Sequence, residues 1–100
     1  MRNYEIMFIV KPTLSEEDIK KVADNFKSTL ETNGTKVTSV DAWGQRTLAY
    51  EMKKGSEVFK SGYYFVYQAE ASDDKGINEF DRLALISSDI VRHLIIKKED

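Results

Sequence analysis

The residues able to do chemistry in this chain are few. Cysteine is absent and histidine occurs once, at His93, which removes thiolate nucleophiles, zinc knuckles and His-rich metal cages. No Ser, Cys or acid stands at a catalytic-motif spacing from His93; Ser87, Ser88 and Asp89 read as a helix-to-strand turn. Glu16-Glu17-Asp18 and Asp73-Asp74 are acids of the type that ligate metals or move protons, but both groups stand where helix starts favour negative charge. The segment Lys11-Pro12-Thr13-Leu14-Ser15 contains no glycine to cradle a phosphate. No catalytic residue, metal site, cofactor or small-molecule substrate is therefore expected, and the chemistry to look for is binding.

For binding, the chain offers aromatic residues and scattered bases: Arg2, Arg46, Lys53, Lys54, Lys60, Arg92, Lys97 and Lys98. Fifteen Lys+Arg against seventeen Asp+Glu give a net charge of −2, so there is no global positive field and any anion must be held locally. The longest apolar run, Ile6 to Val10, falls far short of the roughly 20 residues that cross a bilayer, and no membrane partner is expected. Lack of cysteine fits a reducing cytoplasm.

These residues must be positioned by the elements around them. In 100 residues, 41% of them hydrophobic, there is material for a single domain over residues 1–100. Residues 4–10 alternate as a strand ended by Pro12. Ser15 then caps a helix whose stripe is Ile19, Val22, Ala23, Phe26 and Leu30, closed by Asn33-Gly34. Val37 to Met52 reads as a long strand whose period slips at Trp43-Gly44, the mark of a bulge. Lys53 to Ser61 reads as a long polar hairpin tip, followed by the aromatic strand Tyr63 to Tyr67. Ile77, Phe80, Leu83 and Ala84 mark a second helix after Ser72-Asp73-Asp74, and Ile90 to Lys97 a last strand. The order β-α-β-β-α-β predicts an α+β, ferredoxin-like split βαβ: a four-stranded antiparallel sheet with two helices on one face.

The other face is then left for function. Strand alternation assigns Tyr4, Ile6, Phe8, Val10, Tyr63, Phe65, Tyr67, Ala69, Leu94 and Ile96 to the helix side. It assigns Glu5, Met7, Ile9, Tyr64, Val66, Gln68, Glu70, His93, Ile95 and Lys97 to the open side. Met7, Ile9, Tyr64, Val66 and Ile95 would form an apolar patch rimmed by charge, the mark of a partner surface.

Two resemblances bear on the partner. Gly62-Tyr63-Tyr64-Phe65-Val66-Tyr67 partly resembles the octamer of RNA-recognition-motif domains, but that register would turn Tyr63 and Phe65 outward, against the alternation running into Ala69 and Ala71. Met1-Arg2-Asn3-Tyr4-Glu5, Gly44-Gln45-Arg46-Thr47-Leu48-Ala49-Tyr50-Glu51-Met52-Lys53 and Asp89-Ile90-Val91-Arg92-His93 are similar, across nearly the whole chain, to the bacterial small-subunit ribosomal protein six family. Thr47 and Met52 depart from the family signature. The resemblance implies a cytoplasmic, non-enzymatic constituent of the small ribosomal subunit that binds the central domain of 16S ribosomal RNA together with ribosomal protein eighteen. On that basis the apolar patch is expected to face the protein partner, and Arg2, Arg46, Lys53, Lys54, Arg92, His93 and Lys97 to contact RNA. The alternatives are a self-associating regulatory domain and a free-standing single-stranded RNA binder.

Overall fold

The computed structural model describes residues 2–98. Its elements are β1 (Arg2–Val10), α1 (Glu16–Thr32), β2 (Thr35–Lys54), β3 (Glu57–Ala71), α2 (Lys75–Ile86) and β4 (Ile90–Lys98). They form one four-stranded sheet in the order β2-β3-β1-β4, antiparallel throughout, as the split βαβ pattern requires. The Ser15 hydroxyl accepts the Asp18 N–H at 3.2 Å, and Gly34, at φ +87°, follows the Asn33 cap, so α1 begins and ends as expected. At α2 the N-cap residue Asp74 makes no side-chain cap, and the preceding Asp73 accepts the Lys75 N–H at 3.1 Å instead.

Both helices lie against one face of the sheet. Ile6, Phe8 and Val10 from β1 are fully buried there, with Phe26 and Leu30 of α1, Phe80 and Ala84 of α2, and Tyr67 of β3. β2 and α2 pack tightly at Thr35 and Gly76: a Cβ on Gly76 would stand 2.3 Å from Thr35 Oγ1, so only glycine admits this packing.

Three expectations need correction. Leu94 and Ile96 do not face the helices: they are 49% and 44% exposed, on the open face with Met7 and Glu5. Ile95, which pairs with Ile6, and His93, which pairs with Phe8, point to the helix side instead, and Lys97 pairs with buried Tyr4. The cause is a bulge. Ile9 pairs with Arg92 but Val10 pairs with Ile90, so Val91 is an extra residue, and one extra residue exchanges the two faces of all that follows. Second, the hairpin has no long tip. Residues 57–61 are strand, and the turn is Gly55-Ser56, with Gly55 at φ +62°. Third, the open face is partly covered, because Leu48 and Phe59 of the hairpin pack on Ile9 and Val91 in a second, smaller core.

The Tyr67 hydroxyl donates to the Ala23 carbonyl at 2.6 Å and ties β3 to α1. Burial, and secondarily the Asp24 charge, push its phenol well above the ordinary tyrosine value. Unfolded tyrosine ionises near about 10 and the folded group resists, so this contribution is complete below about pH 10 and is lost as pH rises beyond it. Denaturant melts should show falling stability above about pH 10, and Tyr67→Phe should cost about 1–2 kcal/mol at neutral pH while flattening that alkaline limb.

Candidate functional site

The open face is built from alternate residues of β1 and β3 and, beyond its bulge, of β4. Met7 lies between Val66 and Leu94, Ile9 between Tyr64 and Arg92, and Glu5 between Gln68 and Ile96. Ile9 leans into the space over Gly62, where a Cβ would stand 2.3 Å from its Cγ2, so glycine in this aromatic strand makes room for it. Polar groups close one end: Gln68 Nε2 donates to Glu5 Oε1 at 3.0 Å, and Lys98 Nζ donates to Gln68 Oε1. At the other end the hairpin encloses a hollow of about 240 Å³ lined by Met7, Ile9, Tyr50, Met52, Tyr64 and Leu94, with Arg92 and His93 at its margin. Arg92 Nη1 reaches the Tyr50 hydroxyl at 3.4 Å across it.

Of the residues expected to meet a protein partner, Met7 and Tyr64 are half-buried on this face, whereas Ile9 and Val66 lie on it but are only 2% and 7% exposed. Ile95 is on the opposite side, packed against the main core. The accessible apolar strip is instead Met7, Tyr64, Leu94 and Ile96; Trp43 and Tyr50 of β2 are also exposed but lie outside it. Trp43 carried a signal, the slipped period at Trp43-Gly44, where the structure has a bulge and Gly44 takes φ +79°. Leu94 and Ile96 were hidden because every neighbour in Leu94-Ile95-Ile96 is apolar.

The basic residues fall into two groups. Arg46, Lys53 and Arg92 lie at the hairpin end of the sheet and Arg2 and Lys97 at the far end, about 25 Å away at roughly 3.3 Å per strand residue. All five are exposed, and none forms an ion pair among the described residues. Two further expected contacts are differently engaged. Lys54 Nζ donates to the carbonyls of Leu85 at 2.9 Å and Ala84 at 3.4 Å, closing an α2 whose last turn has no base of its own. His93 Nε2 is 2.7 Å from Asp81 Oδ1, with its ring edge-on to Phe80 at 6.0 Å.

Charge is sorted by layer. The four strands carry nine Lys/Arg against five Asp/Glu, whereas the helices and the segments joining them to the strands carry six against ten. No group of three or more His, Cys, Asp or Glu able to hold a metal occurs among the described residues, and no described helix is long and apolar enough to cross a membrane.

Comparison with known proteins identifies this arrangement. The family model described as ribosomal protein S6 matches residues 3–97. The chain belongs to the ribosomal protein S6 family. It is 44% identical over 98 residues to small ribosomal subunit protein bS6 of Desulforamulus reducens, covering 98% of each chain. It is also similar to the crystal structure of 30S ribosomal protein S6 from Thermotoga maritima, with a TM-score of 0.87 at 28% identity over 97% of this chain and 87% of that one. As a member of the S6 family it is a structural component of the small subunit of the cytoplasmic ribosome rather than an enzyme.

Within this S6 fold, Lys54 is a clasp between hairpin and helix. Lys54→Met should lower stability by about 1 kcal/mol in urea melts through loss of the charge-assisted bonds to the α2 carbonyls. Unchanged stability would show that the clasp does not hold the hairpin.

Proposed function

We propose that this chain binds the central domain of 16S ribosomal RNA jointly with ribosomal protein eighteen, with the open sheet face as the shared platform. The observation that carries this reading is the pairing of an accessible apolar strip with a net positive sheet layer in a chain whose total charge is −2. Leu94 and Ile96, half exposed beside Met7 and Tyr64, are the surface a protein partner would desolvate. Arg46 and Arg92 on that face, with Lys53 at the same hairpin end, are the groups for phosphates, whereas Arg2 and Lys97, paired with core residues Ala71 and Tyr4, turn to the helix side and fall outside the platform. A chain of net negative charge gains from a partner that brings cations of its own, which is why joint binding is favoured over binding alone. The free-standing single-strand reading is disfavoured, because Tyr63 and Phe65 pack against the helix-side core rather than facing outward.

Gel shifts of a central-domain fragment of the RNA, with and without ribosomal protein eighteen and across a salt series, should show tight, salt-sensitive binding only when both proteins are present. Self-association of this chain at micromolar concentration with no RNA shift would favour a regulatory, self-associating domain instead. Leu94→Glu should weaken partner binding at least tenfold with little change in the thermal midpoint, whereas Val66 is too buried to serve as a clean probe.

Lys53→Ala should reduce the salt slope of RNA binding by about 0.9 if its ammonium neutralises one phosphate, by analogy with duplex DNA. A slope identical to the parent's would remove Lys53 from the footprint.

A further inference from the structure

Trp43 is the only tryptophan in the chain, and it is 44% exposed on the open face. A large aromatic surface left in water needs an explanation when its ring is as firmly held as this one. Its indole lies parallel to the Tyr64 ring, with an interplanar angle of 4° and centroids 6.0 Å apart. Its Nε1–H donates to Asp41 Oδ2 at 2.9 Å, so the one polar group of the indole is satisfied and the ring cannot swivel freely about its side-chain bonds. The bulge presents it: Ala42 pairs with Phe65 and Gly44 with Tyr64, leaving Trp43 unpaired between them, and Gly44 supplies the positive φ that turns the chain. Arg46, opposite Gly62, falls on the same face, and Trp43, Tyr64 and Arg46 together line a surface hollow of about 480 Å³.

We propose that Trp43, backed by Tyr64 and flanked by Arg46, is a stacking site for one unpaired RNA base, with the Arg46 guanidinium on the adjoining phosphate. A flat, prealigned π-surface beside a cation that has no ion pair among the described residues matches a nucleotide, whose base offers a π-face and whose backbone offers a negative charge. Asp41 engages the indole edge and leaves the ring face to the base. The site rests on the RNA-binding reading above and deepens it by assigning an unstacked nucleotide to a particular residue.

Because Trp43 is the sole tryptophan, its fluorescence reports on this site directly. The test titrates the full chain, bound to a tryptophan-free ribosomal protein eighteen, with the central-domain RNA fragment, following complex formation by gel shift and Trp43 emission in parallel. The expected result is a shifted complex in which Trp43 emission is strongly quenched. Trp43→Leu should weaken RNA binding by about five- to 150-fold, the range for losing one stacked base, while affinity for the protein partner without RNA stays the same. Arg46→Ala, at an exposed position, should weaken RNA binding and lower the salt slope by about 0.7, the single-strand value for one phosphate, while the chain melts as before. A complex that forms with unquenched Trp43 and with parental affinity in Trp43→Leu overturns the stacking site and leaves the RNA-binding reading standing. Weakened protein-partner affinity in Trp43→Leu with unchanged RNA affinity overturns it in favour of a protein pocket. Failure of any complex to form overturns both readings.

Discussion

The packing of Phe8 is the contact on which the rest of the structure depends. It sits fully buried on the central strand β1, with ring centroids 5.2 Å from Phe65 and Tyr67 of β3, 5.7 Å from Phe26 of α1 and 5.8 Å from Phe80 of α2. One side chain thus joins both helices to the neighbouring strand, and each aromatic pair adds about 0.5–1.5 kcal/mol beyond the area it buries. With Phe8 fixed toward the helices, the pleat decides the other side: Met7 and Ile9 must face away. The binding face is a consequence of the core, and its composition follows from which residues fall out of phase with Phe8.

Phase was legible in the sequence wherever apolar and polar residues alternate, and illegible where they do not. The α1 stripe, its Ser15 and Asn33-Gly34 caps, the β1 alternation and the slip at Trp43-Gly44 each contrast with their surroundings, and the structure has these features at those positions. In β4, Ile90, Val91, Leu94, Ile95 and Ile96 are apolar at both parities, so nothing in the pattern could reveal that Val91 is an extra residue. An undetected bulge inverts every later assignment, and this one exchanged Ile95 for Leu94 and Ile96 and moved His93 against Phe80. The strand over 57–61, read as part of a long hairpin tip, was missed for a related reason. The hairpin's strands are solvated on both sides over most of their length, and without a buried face there is no period to read.

The same hairpin shows how an exposed ribbon is given a defined position. A two-stranded ribbon extending beyond its sheet is marginal in water. Here it is held at two points: Leu48 and Phe59 on Ile9 and Val91, and Lys54 on the carbonyls that end α2. The second contact resolves an oddity of α2, whose last turn contains no base to meet its negative end. A lysine distant in sequence supplies that charge, so the hairpin and the helix end stabilise one another. Neither partner signals this locally, which is why Lys54 reads from sequence as one more surface cation.

Sorting of charge between the layers reconciles an acidic chain with an anionic partner. The nine bases of the strands outnumber their five acids, and the excess acid lies on the helices, their connections and the final Glu99-Asp100. Two of the strand acids on the open face are engaged, Glu5 by the Gln68 amide and Asp41 by the Trp43 indole, and Glu70 stands opposite Lys36. A polyanion approaching from the open side of the sheet therefore meets Arg46 and Arg92 at one end of an apolar strip and Lys98 at the other, while the acidic helix layer repels it. Such a distribution orients the molecule before contact is made, at a range of about 8–10 Å set by screening in physiological salt. Net charge describes the attraction of the molecule as a whole, but its sign by layer decides which face arrives first. In this fold the layer that carries the positive sign also bears the apolar strip of Met7, Tyr64, Leu94 and Ile96, so electrostatic approach and hydrophobic docking at that strip are directed at the same layer.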